Sequence, residues 1–142
     1  MGFLVDTCIW VDVERGAMAP GDVARVTGEE PVYISPVTIA ELKFGADIAP
    51  AGIREKRLAA LARLMRKPLL RMDEITGEIF GSLTAQLHMA KRKHTYRVQD
   101  LWLAAQAVQH GIYLLTHNRK DFADIPGLDL VIWREMVTRP ED

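Results

Sequence analysis

The chain has 142 residues, 49% of them apolar and 26% charged, which suits one globular domain with a substantial core and excludes two independent ones. Its 18 Lys and Arg against 19 Asp and Glu leave a formal net charge of −1, so any nucleic-acid contact must come from local clusters and not from bulk charge. The single cysteine, Cys8, excludes an internal disulfide, no stretch reaches membrane-spanning length, and the start lacks the pattern of a secretory leader; a cytoplasmic setting with no membrane contact is expected.

The first predicted element is a short strand, FLV at 3–5, which runs into Asp6 before the apolar pattern resumes. Burying an unpaired carboxylate costs several kcal/mol, so Asp6 needs water, backbone N–H groups or a cation as partner. A second strand, VYI at 32–34, leads into Ser35-Pro36, an N-cap followed by proline at the first helical position. The Ala-Pro-Gly stretch at 19–21 and Ala49-Pro50-Ala51-Gly52 read as loops between helices. Leu58, Leu61, Ala62 and Met65 then recur at helical spacing, and PLLR at 68–71 reads as a further strand. Ile75, Ile79, Leu83 and Leu87 trace a second stripe; Leu101, Ala104, Ala105 and Val108 trace a third, which Gly111 ends as a C′ glycine. Strand IYLLT at 112–116, a turn at Pro126-Gly127 and strand LDLVI at 128–132 complete the pattern. With no repeat or linker, residues 1–142 form a single domain, and the alternation predicts an α/β fold with a central, mainly parallel sheet flanked by helices.

In open α/β sheets ligands gather beyond the carboxyl ends of the strands. Asp6 lies at such an end, Asp100 in or before the first turn of the 101–108 helix, and Asp121 after strand IYLLT and the loop THNRK. Glu41, about a turn and a half into the helix opened by Pro36, can reach back over its strand end. Each also has a plain structural reading: Asp6 and Asp100 as N-caps, Glu41 as a solvated helix residue, Asp121 as a turn acid.

Cys8, His88, His94, His110 and His117 lack zinc-like spacing and read as surface or packing residues, so a shared ion at the acids would be a hard one held by oxygen, Mg2+ (or Mn2+). Neither a P-loop, a G-x-G-x-x-G run nor a G-x-S-x-G elbow is present. An aspartyl-phosphate mechanism of the haloacid-dehalogenase kind wants a second acid two residues after Asp6, where Cys8 stands.

LVDTCIW near the start, SPVTIAELKFG in the first third, VQDLWLAAQAVQHG late and LLTHNRKDFADIPGLDLV near the end are similar, in that order, to the successive motifs of PIN-domain ribonucleases. More narrowly the chain resembles the VapC toxins of toxin–antitoxin pairs over nearly its whole length, with 52–93 matching only in pattern. The resemblance implies a PIN-like three-layer fold and carries the family's acidic quartet onto Asp6, Glu41, Asp100 and Asp121. Of these, Asp6, Asp100 and Asp121 would be metal ligands and Glu41 a ligand or orienter of the attacking water. Thr7, Thr116 and Asn118 match the supporting polar residues. Trp102, two places after the third acid, departs from the small aliphatic residue of many relatives.

The same resemblance implies metal-dependent hydrolysis of RNA, a homodimer, and a VapB-like antitoxin that blocks the acidic site in a larger hetero-oligomer. A non-catalytic PIN-like module binding RNA or protein is the alternative, and the intact quartet argues against it. Lys91, Arg92, Lys93 and Arg97 in KRKHTYR, the run LMRKPLLR at 64–71, and Arg119 with Lys120 beside the last acid are candidates for RNA phosphate contacts. Such clusters also complement helix ends and keep surfaces soluble. Tyr96 is a candidate for base stacking or for capping the core; Trp10, Trp102, Trp133, Phe44 and Phe80 are core or interface candidates.

Overall fold

The computed structural model describes residues 1–95 and 97–133, so Tyr96 lies outside the described residues. In chain order the elements are β1 (Phe3–Val5), α1 (Thr7–Glu14), α2 (Pro20–Thr27), β2 (Val32–Tyr33), α3 (Pro36–Asp47), α4 (Ala51–Leu64), α5 (Glu74–Met89), α6 (Val98–His110), β3 (Tyr113–Thr116), α7 (Arg119–Phe122) and β4 (Asp129–Ile132).

The four strands form one sheet in the order β2-β1-β3-β4, every pair parallel. All three residues of β1 are buried, as an inner parallel strand covered on both faces requires. The two-residue side-chain period then sorts β1 between two cores: Leu4 joins Leu114, Leu101 and Leu87 on one face, while Phe3 and Val5 join Ile9, Trp10, Leu115 and Trp133 on the other. Helices on both faces make the three layers that the resemblance implied. Gly2 enters β1 where a Cβ would stand 2.7 Å from Tyr33 Cε2 and 3.2 Å from the Pro31 carbonyl oxygen, so only a glycine lets β1 pass the start of β2 this closely.

Helix α6 is the central helix, with Leu101 and Leu103 through Ala107 all buried. It carries one fully buried polar side chain, Gln106, whose amide donates to the Leu70 carbonyl at 2.8 Å while its Oε1 accepts from Ser35 Oγ at 2.5 Å. Ser35 also caps α3, accepting from Val37 N at 3.1 Å. One amide thus ties α6 to the β2–α3 junction and to the 68–71 segment.

Three expectations are corrected. Residues 68–71 form no strand but a single parallel bridge between Ile34 and Leu69, because Pro68 has no N–H to extend the ladder. The loops expected at 19–21 and 49–52 are helix starts: Pro20 is the first residue of α2, with the Asp22 carboxylate accepting from Ala19 N at 3.0 Å, and Pro50 is the N-cap of α4. Phe44 is 66% exposed and therefore no core residue, and Met65 and Ile75, at the ends of their stripes, are exposed as well. Trp10 and Trp133 are buried, Trp102 stacks on Phe80 of α5 with ring centroids 4.0 Å apart, and Gly111 ends α6 in the left-handed conformation at φ 61°. No described helix is long and apolar enough to cross a membrane.

Candidate active site

Parallel strands bring their carboxyl ends to one rim, and β1 and β3 deliver Asp6 and Thr116 there side by side, since Val5 pairs with Leu115. Asp6 stands at the N-cap of α1 in extended backbone, yet its side chain makes no capping bond. Its Oδ2 accepts from Thr116 Oγ at 2.8 Å and from the Cys8 thiol at 3.3 Å. Thr116 in turn accepts from Asn118 N at 3.1 Å, which fixes the start of α7. Asp6 thus takes the N-cap position without capping the helix: its side chain is buried and held by donors from two other positions. Burial, with the negative charge of Asp6 second, pushes the Cys8 thiol up to about 12, so it serves as an uncharged donor and not as a nucleophile.

Glu41 arrives from α3. Thr7 Oγ lies 2.9 Å from Glu41 Oε1 and 3.0 Å from Thr38 Oγ, so its single hydroxyl proton bonds most strongly to the carboxylate. Burial pushes the Glu41 carboxyl above the usual range, the Thr7 bond opposes this, and the charge of Asp6 adds to it. Asp100, third residue of α6, is pushed up to about 7 by burial first and then by the negative charges of Asp6, Asp121 and Glu41, against the pull of Arg97. All four acids thus share one electrostatic field. Among the described residues, however, no three Asp, Glu, His or Cys side chains stand close enough to cage a metal ion by themselves.

Asp121 lies in α7, a single turn whose start is Asn118. Arg97, expected as an RNA contact, is instead turned inward, paired to Asp124 at 2.7 Å and bonded to the Asp121 carbonyl at 2.6 Å. Lys91, Arg92 and Lys93 are exposed in the segment after α5, and Arg119 and Lys120 are exposed on α7 beside Asp121. In the 64–71 run the Lys67 ammonium lies 5.4 Å over the Trp10 ring, a cation–π contact.

Several participants escaped the sequence reading. Thr38, three residues before Glu41 and so on the same helix face, was detectable by spacing. Cys8 as a donor, His117 with its Nε2 3.2 Å from Asp12 Oδ2, and Asp124 gave no local signal. A groove of about 920 Å³ runs from Thr7 and Glu41 along α1, α3 and α4, with Trp10, Leu42 and Leu61 lining it and Lys56, Arg63 and Lys67 among its charged residues.

The family model described as PIN domain matches residues 3–128. Ribonuclease VapC4 of Mycobacterium tuberculosis is 30% identical over 129 residues, covering 90% of this chain and 94% of that protein. Ribonuclease VapC1 of Rickettsia felis is 28% identical over 131 residues, 92% of this chain and 96% of the relative. The solved VapBC-1 structure from nontypeable Haemophilus influenzae has a TM-score of 0.78 at 27% identity, over 94% of this chain and 98% of that one.

Proposed function

We propose that this chain, which belongs to the PIN-domain family and is of the VapC type, is a Mg2+- or Mn2+-dependent endoribonuclease and the toxin of a VapBC-type pair. The relatives named as ribonucleases support the activity, and those solved as VapBC assemblies support a VapB-like antitoxin partner. The observation that carries the reading is the PIN-domain match over residues 3–128 on a fold whose β1, α3, α6 and α7 bring four acids into one field, where Asp100 feels Asp6, Asp121 and Glu41 at once. Four carboxylates in one field are unfavourable without a counter-charge, and a divalent cation reverses that cost.

The donor set fits a hard cation: every acid offers oxygen, and the one nearby sulfur is a protonated thiol. Because no three of the described acidic side chains stand together, an ion there would have few direct protein ligands and would keep several of its waters, as Mg2+ does. Asp6, Asp100 and Asp121 would hold it, and when bound it supplies a water of lowered pKa and a counter-charge for the phosphodiester transition state.

The chain's own residues do the rest. Thr116 and Cys8 hold one oxygen of Asp6 in place. Glu41, oriented by Thr7 and with its carboxyl raised by burial, would accept a proton from the attacking water. Thr7 and Asn118 hold waters or phosphate oxygens, and Lys91, Arg92, Lys93, Arg119 and Lys120 supply exposed positive charge for the RNA backbone. The groove that opens beside Glu41 seats the antitoxin segment, which blocks the acids from the side. In an assembly the exposed apolar residues would serve a homodimer contact, in the cytoplasm.

The test is RNA cleavage by protein freed of any co-purifying partner. Activity with Mg2+ or Mn2+, abolished by EDTA and lost in Asp6→Asn with folding retained, is expected. Cleavage by Asp6→Asn at the wild-type rate would overturn the assignment.

A further inference from the structure

We propose that Arg97 is a positioning residue that ties the Asp121 backbone to the start of α6, the helix that carries Asp100, and is not a hand for RNA; the proposal rests on the nuclease reading above. Arg97 is the N-cap of α6, three residues ahead of Asp100. Its guanidinium forks onto Asp124, Nη1 to Oδ2 at 3.0 Å and Nη2 to Oδ1 at 2.7 Å. Nη2 also donates to the Asp121 carbonyl at 2.6 Å, and Nη1 to the Lys93 carbonyl at 3.0 Å. All four Nη hydrogens are thereby spent, on three residues from two segments of chain, and none remains for a phosphate.

The clamp matters because of what it holds. Helix α7 has four residues, too few for a helix that sustains itself, and its apolar anchorage is Phe122 with Ile125 just beyond. The bond to the carbonyl of Asp121 ties the backbone that carries one acid to the helix cap that precedes another. A lysine would not substitute for it: an ammonium can pair with Asp124 but cannot fork onto it while bonding two carbonyls in one plane. The side chain is 15% exposed and its Nε–H is buried without a partner, so burial costs a donor that a freely solvated RNA-binding arginine would keep.

The test compares Arg97→Lys and Asp124→Asn with the wild type, and with Arg25→Gln on the exposed face of α2 as a surface control. Three quantities are read: amide hydrogen exchange over 118–124, Mn2+ affinity by electron paramagnetic resonance, and kcat and KM for an RNA substrate. Arg97→Lys should exchange faster at 118–124, bind Mn2+ roughly tenfold more weakly and lose kcat in proportion, with KM nearly unchanged. Asp124→Asn, which keeps the arginine and its carbonyl bonds, should move the same quantities less. Unchanged exchange in both variants overturns the clamp. A raised KM with kcat and Mn2+ affinity intact overturns it in favour of an RNA contact. A wild type that neither binds Mn2+ nor cuts RNA removes the catalytic positioning together with the nuclease reading, and the exchange result then tells the two failures apart.

Discussion

Thr116 donates to Asp6 Oδ2 at 2.8 Å although 110 residues separate the two in sequence. The bond exists because β1 and β3 are adjacent and parallel, with Val5 opposite Leu115, so both chains leave the sheet at the same rim. Thr116 is fully buried and Asp6 nearly so. In Thr116→Val the hydroxyl is replaced by a methyl of similar shape, and Asp6 loses one of its two donors. Cleavage should fall roughly tenfold or more, with a loss of about 1–3 kcal/mol in urea unfolding. Thr116→Ser should restore both, and a wild-type rate in the valine variant would deny the hydroxyl its role.

Removing one charge should relax its neighbours. In Glu41→Gln the Asp100 carboxyl, which that glutamate helps to raise, should titrate lower than in the wild type. Carboxyl carbon-13 NMR of the cation-free protein reads the shift directly, and an unmoved Asp100 would place the two acids outside a common field.

The same elevation makes stability depend on pH. Asp100 titrates in the folded protein at about 7, above its unfolded value, so between the two values the native state holds a proton that the unfolded chain has released. Its contribution is fully present below the unfolded pKa and is lost as pH rises toward about 7. The depressed carboxyl of Asp124, paired with Arg97, acts oppositely and loses its contribution only in acid. Mn2+ should therefore raise Tm more at pH 7.5 than at pH 5.5. An equal or smaller rise at pH 7.5 would contradict a shared carboxylate site.

All four strands of the sheet and the main apolar helices were readable in the sequence because their periods are local. That Asp6 and Asp121 follow strands and Asp100 opens a helix was readable for a similar reason, whereas joining them with Glu41 into one set came from the family resemblance. What misled was chemistry with two meanings: Pro20 and Pro50 look like loop punctuation but start helices, and PLLR has the composition of a strand while Pro68 leaves it one bridge. The pairing of Arg97 with Asp124 spans 27 residues and follows no period, so Arg97 read as one more exposed cation of KRKHTYR.

Gln106 tests the packing beneath the site. Gln106→Leu fills a similar volume but leaves Ser35 Oγ and the Leu70 carbonyl without their buried partner. Urea denaturation should show a loss of about 1–3 kcal/mol, with Mn2+ affinity little changed. No loss of stability would mean that the amide is replaceable by shape alone.

Most directly, Mn2+ can be titrated into partner-free protein near pH 7.5 and the bound ion counted by electron paramagnetic resonance. The four-acid account expects a saturable population in the wild type that is lost, with the fold intact, in Asp6→Asn, Asp100→Asn and Asp121→Asn alike. Undiminished binding in Asp100→Asn, or no bound Mn2+ in the wild type, would contradict it.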